Sequence, residues 1–514
     1  MKLFEKLPLF LRPPFPLLRR GFRWSTLAAL LLAIELVYLF IVTAGTFTEW
    51  PTYNALYELL ADGFKKGQLS LPITPPPELV AKENPLDPAN AELWIADLSL
   101  YKGKYYMYWG PFPSLALLAA KAILNIKKPI GDQYPCFAFY TIYLLAGTLL
   151  LHRMARRVFP GLPYYFVLMA IAVFAFASPT PYLLATPGIY EAAIGGAQAF
   201  LLLGVVFAFD ALGGVRPFSR LRLLAAGISW SMAIACRVSV GPTVLLVALL
   251  TALVPHRGAQ RRWVSALVDL TCLGAPVALA TAALLFYNKA RFDSWLEFGT
   301  GVQLNTMHFR ASADYVVPNL YSYFLRWPVF SCQFPFATSP WDHGQAAFPV
   351  HYEIPSGYWV QEPVAGMLRV VPWAWLAPLG LVFAAQAAWA RFIPAALPQS
   401  HAPSRSSLWC AGAFAVLAAV TALPFVATFG ATMRYLGDVT AGFMLFATWG
   451  AWGLYQRIRK RKWLRRGYGA VLTGLAAGTV ALGLVFGFQG YGGHFKLYNP
   501  TLTEKMVRTL SRCD

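Results

Sequence analysis

The sequence predicts an all-α polytopic membrane protein with about eleven transmembrane helices and juxtamembrane helices in its first outer loop. Three observations carry that prediction. Hydrophobic residues make up 57% of the 514 and charged residues only 13%, with a mean hydropathy of +0.50, whereas a soluble domain is about a quarter charged. Apolar runs of roughly 20 residues recur along the chain, the length a helix needs to cross the hydrocarbon. Lys and Arg gather in short segments between alternate runs, as the positive-inside rule requires. That distribution also accounts for the formal charge of +20 without nucleic acid, which is not an expected partner.

The first span, about Ser25 to Gly45, follows Arg19, Arg20 and Arg23, so the N-terminus is expected in the cytoplasm as an uncleaved anchor of the inner (plasma) membrane. Residues 46–133 then form an extracytoplasmic loop. Pro111 to Ile126 is apolar but short and carries Lys121, and an interfacial helix is expected there. Further spans are expected near Tyr134 to Leu151, Pro163 to Leu184, Ile189 to Phe209, Leu223 to Ala235, Val238 to Val254 and Val264 to Tyr287. A second outer loop, 288–367, precedes spans near Leu368 to Ala390, Leu408 to Phe429, Tyr435 to Tyr455 and Tyr468 to Phe488, and 491–514 is an outer tail. This register leaves HRMARR (152–157), Arg216, Arg220, Arg222, Arg257, Arg261, Arg262, Arg391, Arg405 and the cluster RIRKRKWLRR (457–466) on one side. The whole chain is then one integral membrane domain.

Within the first loop, Thr52 is placed to cap an amphipathic surface helix. Tyr53, Leu56, Leu60 and Phe64 mark its apolar face, Asn54, Glu58, Asp62 and Lys65 its polar one, and Gly67 its stop. Pro72, Pro75, Pro76, Pro77, Pro85 and Pro88 exclude a regular helix over the following strap. The strap leads to Asp97 and to an aromatic exit of Tyr101, Tyr105, Tyr106, Tyr108 and Trp109 ahead of Gly110, Pro111 and Pro113.

A carboxylate above aromatic rings suits a polar substrate carried on a lipid, because rings stack on both sugar faces and isoprenoid; an interfacial aromatic belt is the structural alternative. Glu49, just beyond the first span, is a second candidate base, and equally a helix-entry acid. Glu35, in mid-span, is a functional suspect because an ionisable group there is costly. Arg237, in CRVSVG, and Arg434, in ATMRYLGD, stand at outer helix ends against the charge trend, where they suit a phosphate or snorkel to headgroups. For Lys289 and Arg291 the interfacial role is favoured. The six cysteines show no paired spacing, although Cys332 and Cys513 both fall in outer segments and a bridge between them is open. His308, His343 and His351, with Asp342 and Glu353 nearby, lack metal-ligand spacing, Gly195 and Gly196 fit helix packing, and no nucleotide loop is present, so neither metal nor cofactor is expected.

One span, an acidic outer loop, the exit YKGKYYMYWGPFPSLALL, many further spans and a late Arg434-Tyr435-x-x-Asp438 element together resemble the GT-C class of membrane glycosyltransferases. That class includes protein O-mannosyltransferases and lipid A aminoarabinose transferases, and YNKARFDSWLEFG and MRYLGD resemble an uncharacterised bacterial branch of it. The resemblance implies a GT-C-like fold and a metal-independent hexosyl- or pentosyltransferase. Its donor would be a lipid-linked sugar, a polyprenyl phosphate, and its acceptor an extracytoplasmic glycan, lipid or protein, with membrane lipids around it. It implies a first-loop base, Glu49 by position or Asp97 by its place before the aromatic exit, with Arg237 and Arg434 on the donor phosphate and Tyr101, Tyr105, Tyr106, Tyr108 and Trp109 on substrate. Thr48-Glu49 departs from the Asp-Glu pair of many relatives, which leaves the base open between the two. A transporter or flippase of lipid-linked sugars is the alternative from another class.

Overall fold

A computed structural model describes residues 17–213, 218–253, 262–306, 310–340, 348–349, 352–360, 362–392 and 404–512, and nearly all of their regular structure is helical. After α1 (Leu17–Val42), the first loop holds α2 (Leu56–Lys65), the single turn α3 (Pro77–Val80), a hairpin of β1 (Ser99–Tyr101) and β2 (Lys104–Tyr106), and α4 (Phe112–Leu124). The bundle continues with α5 (Gln133–Arg157), α6 (Tyr164–Phe176), α7 (Thr180–Leu184), α8 (Ile189–Leu212), α9 (Phe218–Cys236), α10 (Gly241–Leu253) and α11 (Arg262–Phe292). In the second loop lie α12 (Val316–Leu320), β3 (Val329–Phe330), β4 (Ala337–Thr338), β5 (Trp359–Val360) and α13 (Met367–Val370). Next come α14 (Ala377–Phe392), α15 (Arg405–Ala419), α16 (Leu423–Val426), β6 (Gly430–Ala431), α17 (Leu436–Ile458), α18 (Lys462–Gln489), α19 (His494–Tyr498) and α20 (Pro500–Leu510).

Six of the described helices are long and apolar enough to cross a membrane: Arg23–Val42, Gln133–Arg157, Ile189–Leu212, Trp263–Phe292, Arg405–Val426 and Lys462–Gln489. This is an integral multi-pass membrane protein. Helices also stand at the other expected crossings, but the run from 163 to 184 is two helices rather than one. Pro179 is the cause, since it donates no hydrogen bond and keeps Ser178 out of the helical region; α6 stops at Phe176 and α7 starts at Thr180. At 13 residues α4 spans about 20 Å, short of the ~30 Å hydrocarbon layer, which fits an interfacial position.

The first loop is less exposed than its periodicity implies. Thr52 does not cap α2. The first turn is satisfied from a distance by Asp132, whose carboxylate accepts from the backbone N–H groups of Leu56 at 3.0 Å and Tyr57 at 3.2 Å. Glu58, expected on the polar face, is 6% exposed and forms an ion pair with Lys121 of α4, itself 7% exposed. A buried ammonium therefore has a partner, and the pair fixes α2 on α4. Gly67, with φ +70°, does end the helix, and the prolines hold the strap irregular except at Pro77, which starts the turn of α3 from a position where its missing N–H is harmless. Lys102 and Gly103 both have positive φ, the two-residue turn that joins β1 to β2.

Later segments close over this loop. Arg291, at the end of α11, is buried: it donates to the Met107 carbonyl and to Asn288 Oδ1 at 2.8 Å, and its guanidinium lies 3.8 Å from the Tyr287 ring centroid. It clamps the aromatic exit rather than lying in the interface. Glu35 accepts from Thr141 at 3.0 Å, between α1 and α5. Cys136, Cys236, Cys272 and Cys410 are free thiols; Cys332 is in a disulfide, and Cys513 lies outside the described residues, as do His308, His343, His351 and Asp342. His494 of α19 donates from Nε2 to the Ile41 carbonyl at 3.1 Å and accepts at Nδ1 from the Tyr53 hydroxyl at 2.8 Å, tying the C-terminal segment to α1 and the loop.

Two stability tests follow from these ties. Glu58→Gln alone leaves Lys121 buried without an anion and is expected to cost about 3–5 kcal/mol, whereas Glu58→Leu with Lys121→Met is expected to be near neutral. Thermal unfolding in detergent separates the two, and equal losses would refute the pairing argument. Burial pushes His494 down from 6.5 to about 4. Because the folded value is the lower one, its contribution is present above about pH 6.5 and is lost as pH falls toward 4, by up to roughly 3 kcal/mol. In His494→Gln the fall in melting temperature between pH 8 and pH 4.5 is expected to be smaller than in the native chain.

Candidate functional site

Asp97 is placed by backbone pairing. Its N–H donates to the Leu304 carbonyl at 3.0 Å, the Leu304 N–H returns to Leu98 at 2.8 Å, and Ser99 bridges to Gln303. Asp97 itself takes φ +67°, a conformation that Asp tolerates better than most residues. Its Oδ1 accepts from Gln303 Nε2 at 3.1 Å and Asn305 Nδ2 at 3.4 Å, and the carboxylate is an electrostatic neighbour of the Tyr190 hydroxyl. Tyr190 in turn accepts from Tyr108 at 2.7 Å. Burial pushes the Tyr108 hydroxyl well above its ordinary range, so it stays protonated and donates. The result is a polar relay that runs from Tyr108 through Tyr190 toward Asp97.

The aromatic exit divides between two duties. Trp109 stacks on Tyr108 with centroids 4.1 Å apart and meets the Tyr190 ring edge to face at 5.0 Å, so these two residues face the relay. Tyr105 is fully buried, Tyr106 packs on Phe292, and Tyr101 donates to Asp293 at 3.0 Å on the surface beside the Lys102–Asp293 ion pair. Alternation along the hairpin puts Tyr105 on the face opposite Tyr101 and Tyr106, which both meet Phe292.

Arg434 lies over the Tyr190 ring, 3.8 Å from its centroid, and pairs with Glu362 at 2.8 Å. Strand pairing delivers Glu362: β5 runs parallel to β6 with Val360 opposite Ala431, and two residues on, the Glu362 carboxylate accepts from the Thr432 hydroxyl and meets Arg434. Tyr491 has Glu362, Arg434, Asp97 and Glu191 as electrostatic neighbours. Thr186 fixes it there, accepting from the Tyr491 N–H at 2.9 Å and donating to its carbonyl at 3.2 Å. One polar cluster therefore holds Asp97, Glu191, Glu362, Arg434, Tyr190 and Tyr491.

Arg237 stands in the break between α9 and α10, in extended backbone. Its Nε is 3.1 Å from Asp438, and its guanidinium lies 5.3 Å and 5.6 Å from the Phe425 and Tyr435 ring centroids. Asp438, in the first turn of α17, thus serves Arg237 and not Arg434, its neighbour in the sequence. Gly110 brings the aromatic exit against the same break: a Cβ there would fall inside the contact radius of the Ala235 carbonyl oxygen.

Glu49 stands apart. It is exposed on the turn after α1, where its backbone N–H donates to Thr46 Oγ1 at 3.1 Å, and the next residue, Trp50, stacks on Tyr134. Sequence reasoning missed Glu191 and Glu362. Glu191 was visible as an acid in the first turn of an apolar helix, IYEAAIGGAQAF, whereas nothing local distinguishes Glu362 in the second loop.

No family model matches this chain, and no curated protein matches it. Among solved structures it is similar to the archaeal oligosaccharyltransferase AglB from Archaeoglobus fulgidus in complex with an inhibitory peptide and a dolichol-phosphate. The TM-score is 0.48 at 11% identity, over 93% of this chain and 57% of that one. It is also similar to the apo form of the Archaeoglobus fulgidus oligosaccharyltransferase, with a TM-score of 0.46 at 12% identity, over 91% of this chain and 56% of that one. The chain spans a little over half the length of these structures.

Gly110→Val is expected to destabilise the protein by roughly 1–3 kcal/mol through overpacking against the helix break. The same substitution at Gly241, which has open space around it, is expected to leave the bundle without such a clash. Comparison of the two melting temperatures checks the contact, and equal values would refute it.

Proposed function

We propose that this protein is a membrane glycosyltransferase that moves a sugar from a polyprenyl-phosphate donor to an extracytoplasmic acceptor. The observation that carries the reading is the convergence of the Asp97 carboxylate, held by Gln303 and Asn305 beside Tyr190, with the mostly buried guanidinium of Arg434 at the junction of the two long loops. Asp97 is the base in this reading. It takes the proton of an acceptor hydroxyl as that oxygen attacks the anomeric carbon, the bond from that carbon to the phosphate oxygen breaks, and the lipid phosphate leaves with the electron pair. Arg434 and Arg237 balance the charge that gathers on the leaving group. Donor phosphate then competes with Glu362 and Asp438 for the guanidinium donors that those carboxylates occupy.

Tyr108 is the ring beside the base that suits a sugar face, with the buried Trp109 stacked behind it. Tyr101, Tyr105 and Tyr106 shape the hairpin and make no contact with substrate in this reading. Glu49 is not the base, because it is exposed on the turn after α1 while Asp97 is held within the polar cluster.

Purified protein given a labelled polyprenyl-phosphate sugar and an acceptor extract tests this. Asp97→Asn is expected to lower release of lipid phosphate by about 10²–10⁴-fold, and Glu49→Gln to leave it within a few-fold of the native rate. Full activity of Asp97→Asn would remove the base assignment. Movement of intact donor across the bilayer without release would replace transfer by flipping.

A further inference from the structure

The opposite end of the bundle holds a polar cavity, and we propose that it binds a phosphate group. The cavity is about 290 Å³ and lies between the start of α1, the end of α5 and the start of α6. Arg23, Trp24, His152, Arg156 and Tyr164 line it, and among the described lining residues none is acidic. α1 and α5 have 26 and 25 residues, so each spans roughly 38 Å at 1.5 Å per residue. Both reach the first outer loop at their other ends. The cavity is therefore separated from the Asp97 cluster by the thickness of a bilayer, and the proposal is independent of the glycosyltransferase reading.

Rings and backbone shape the walls. The Arg23 guanidinium stands 5.4 Å from the Tyr164 ring centroid, and the Tyr164 hydroxyl donates to the Arg23 carbonyl at 3.2 Å. Trp24 and His152 have ring centroids 5.9 Å apart, and His152 meets Tyr164 edge to face at 6.4 Å. Charge of one sign collects around this frame. Arg156, Arg153 and Arg23 are all electrostatic neighbours of His152. On the same helix, Arg153 and Arg157 turn to Asp210, with Arg157 at 3.0 Å, so the carboxylate of Asp210 is engaged on that side. At the rim, Gly161 has φ +81°, and Arg459 Nη1 lies 3.4 Å from the place a Cβ would take.

Guanidinium groups converging on a small cavity recognise phosphate oxygens, and basic pockets between helix ends on the cytoplasmic side take phosphorylated headgroups. Trp24, 49% exposed, stands where an indole marks the membrane interface. The shared chemistry is a phosphate anion, and its source is either the headgroup of an anionic phospholipid or free phosphate.

Full-length protein in nanodiscs tests the site. One set contains phosphatidylcholine alone, a second adds phosphatidylglycerol, and a third is phosphatidylcholine with inorganic phosphate in solution. Lipid retention by native mass spectrometry and phosphate binding by calorimetry are compared with the double variant Arg23→Gln, Arg156→Gln. The native chain is expected to bind one of the two phosphate sources roughly tenfold or more tightly than the double variant. A difference in the phosphatidylglycerol set assigns the lipid as source, and one in the third set assigns free phosphate. Arg156→Gln alone, at an exposed helix end, gives the same readout if the double variant does not fold. Equal binding by native and variant chains in both sets overturns the proposal.

Discussion

A guanidinium taken out of water must meet an anion or a carbonyl, and the arrangement of both long loops depends on that requirement. Arg434 is met by Glu362, which arrives because β5 lies parallel to β6. Asp438 meets Arg237, although Arg434 is its nearer neighbour in the sequence. The Met107 carbonyl and Asn288 meet Arg291, and Glu58 plays the same part for Lys121. Apart from Asn288, three residues before Arg291, each partner comes from a segment far along the chain, and together they hold the aromatic exit, the second loop and the helix breaks in one register. Removing one member leaves a buried charge, so these contacts specify position more than they add stability.

The membrane architecture was legible because it rests on properties that sequence states locally. Run length located helices at the expected crossings, six of them long and apolar enough to span a membrane and one, from 163 to 184, divided in two, and the break at CRVSVG was read as a break. Misreadings came where a distant partner overrode a local pattern. Periodicity placed Glu58 among polar residues of a surface helix, yet Lys121, itself an oddity in an apolar run, made burial of both possible. Thr52 was a sound local cap, but Asp132, outside that segment, supplies the acceptor to α2. At the site, Asp97, Tyr108, Trp109, Arg237 and Arg434 were named from composition and place. Glu362 and Tyr190 were not, because strand pairing and a helix start bring them in.

The same pairings bear on which arginine is the readier partner for a phosphate. Three carboxyl groups, Asp97, Glu191 and Glu362, share a cluster with Arg434, and Glu362 is bonded to it directly. A phosphate entering there meets acidic groups on several sides, and its approach is opposed unless a proton accompanies it. Arg237 has one paired carboxylate, Asp438, and otherwise faces the rings of Phe425 and Tyr435. Aromatic faces attract the cation without presenting a full negative charge, so exchanging Asp438 for a phosphate costs less repulsion. Those rings and Tyr323, Phe324 and Val439 line one small apolar pocket. Of the two arginines proposed to meet the leaving phosphate, Arg237 is therefore the less opposed, while Arg434, which lies over the Tyr190 ring, shares its surroundings with more carboxyl groups.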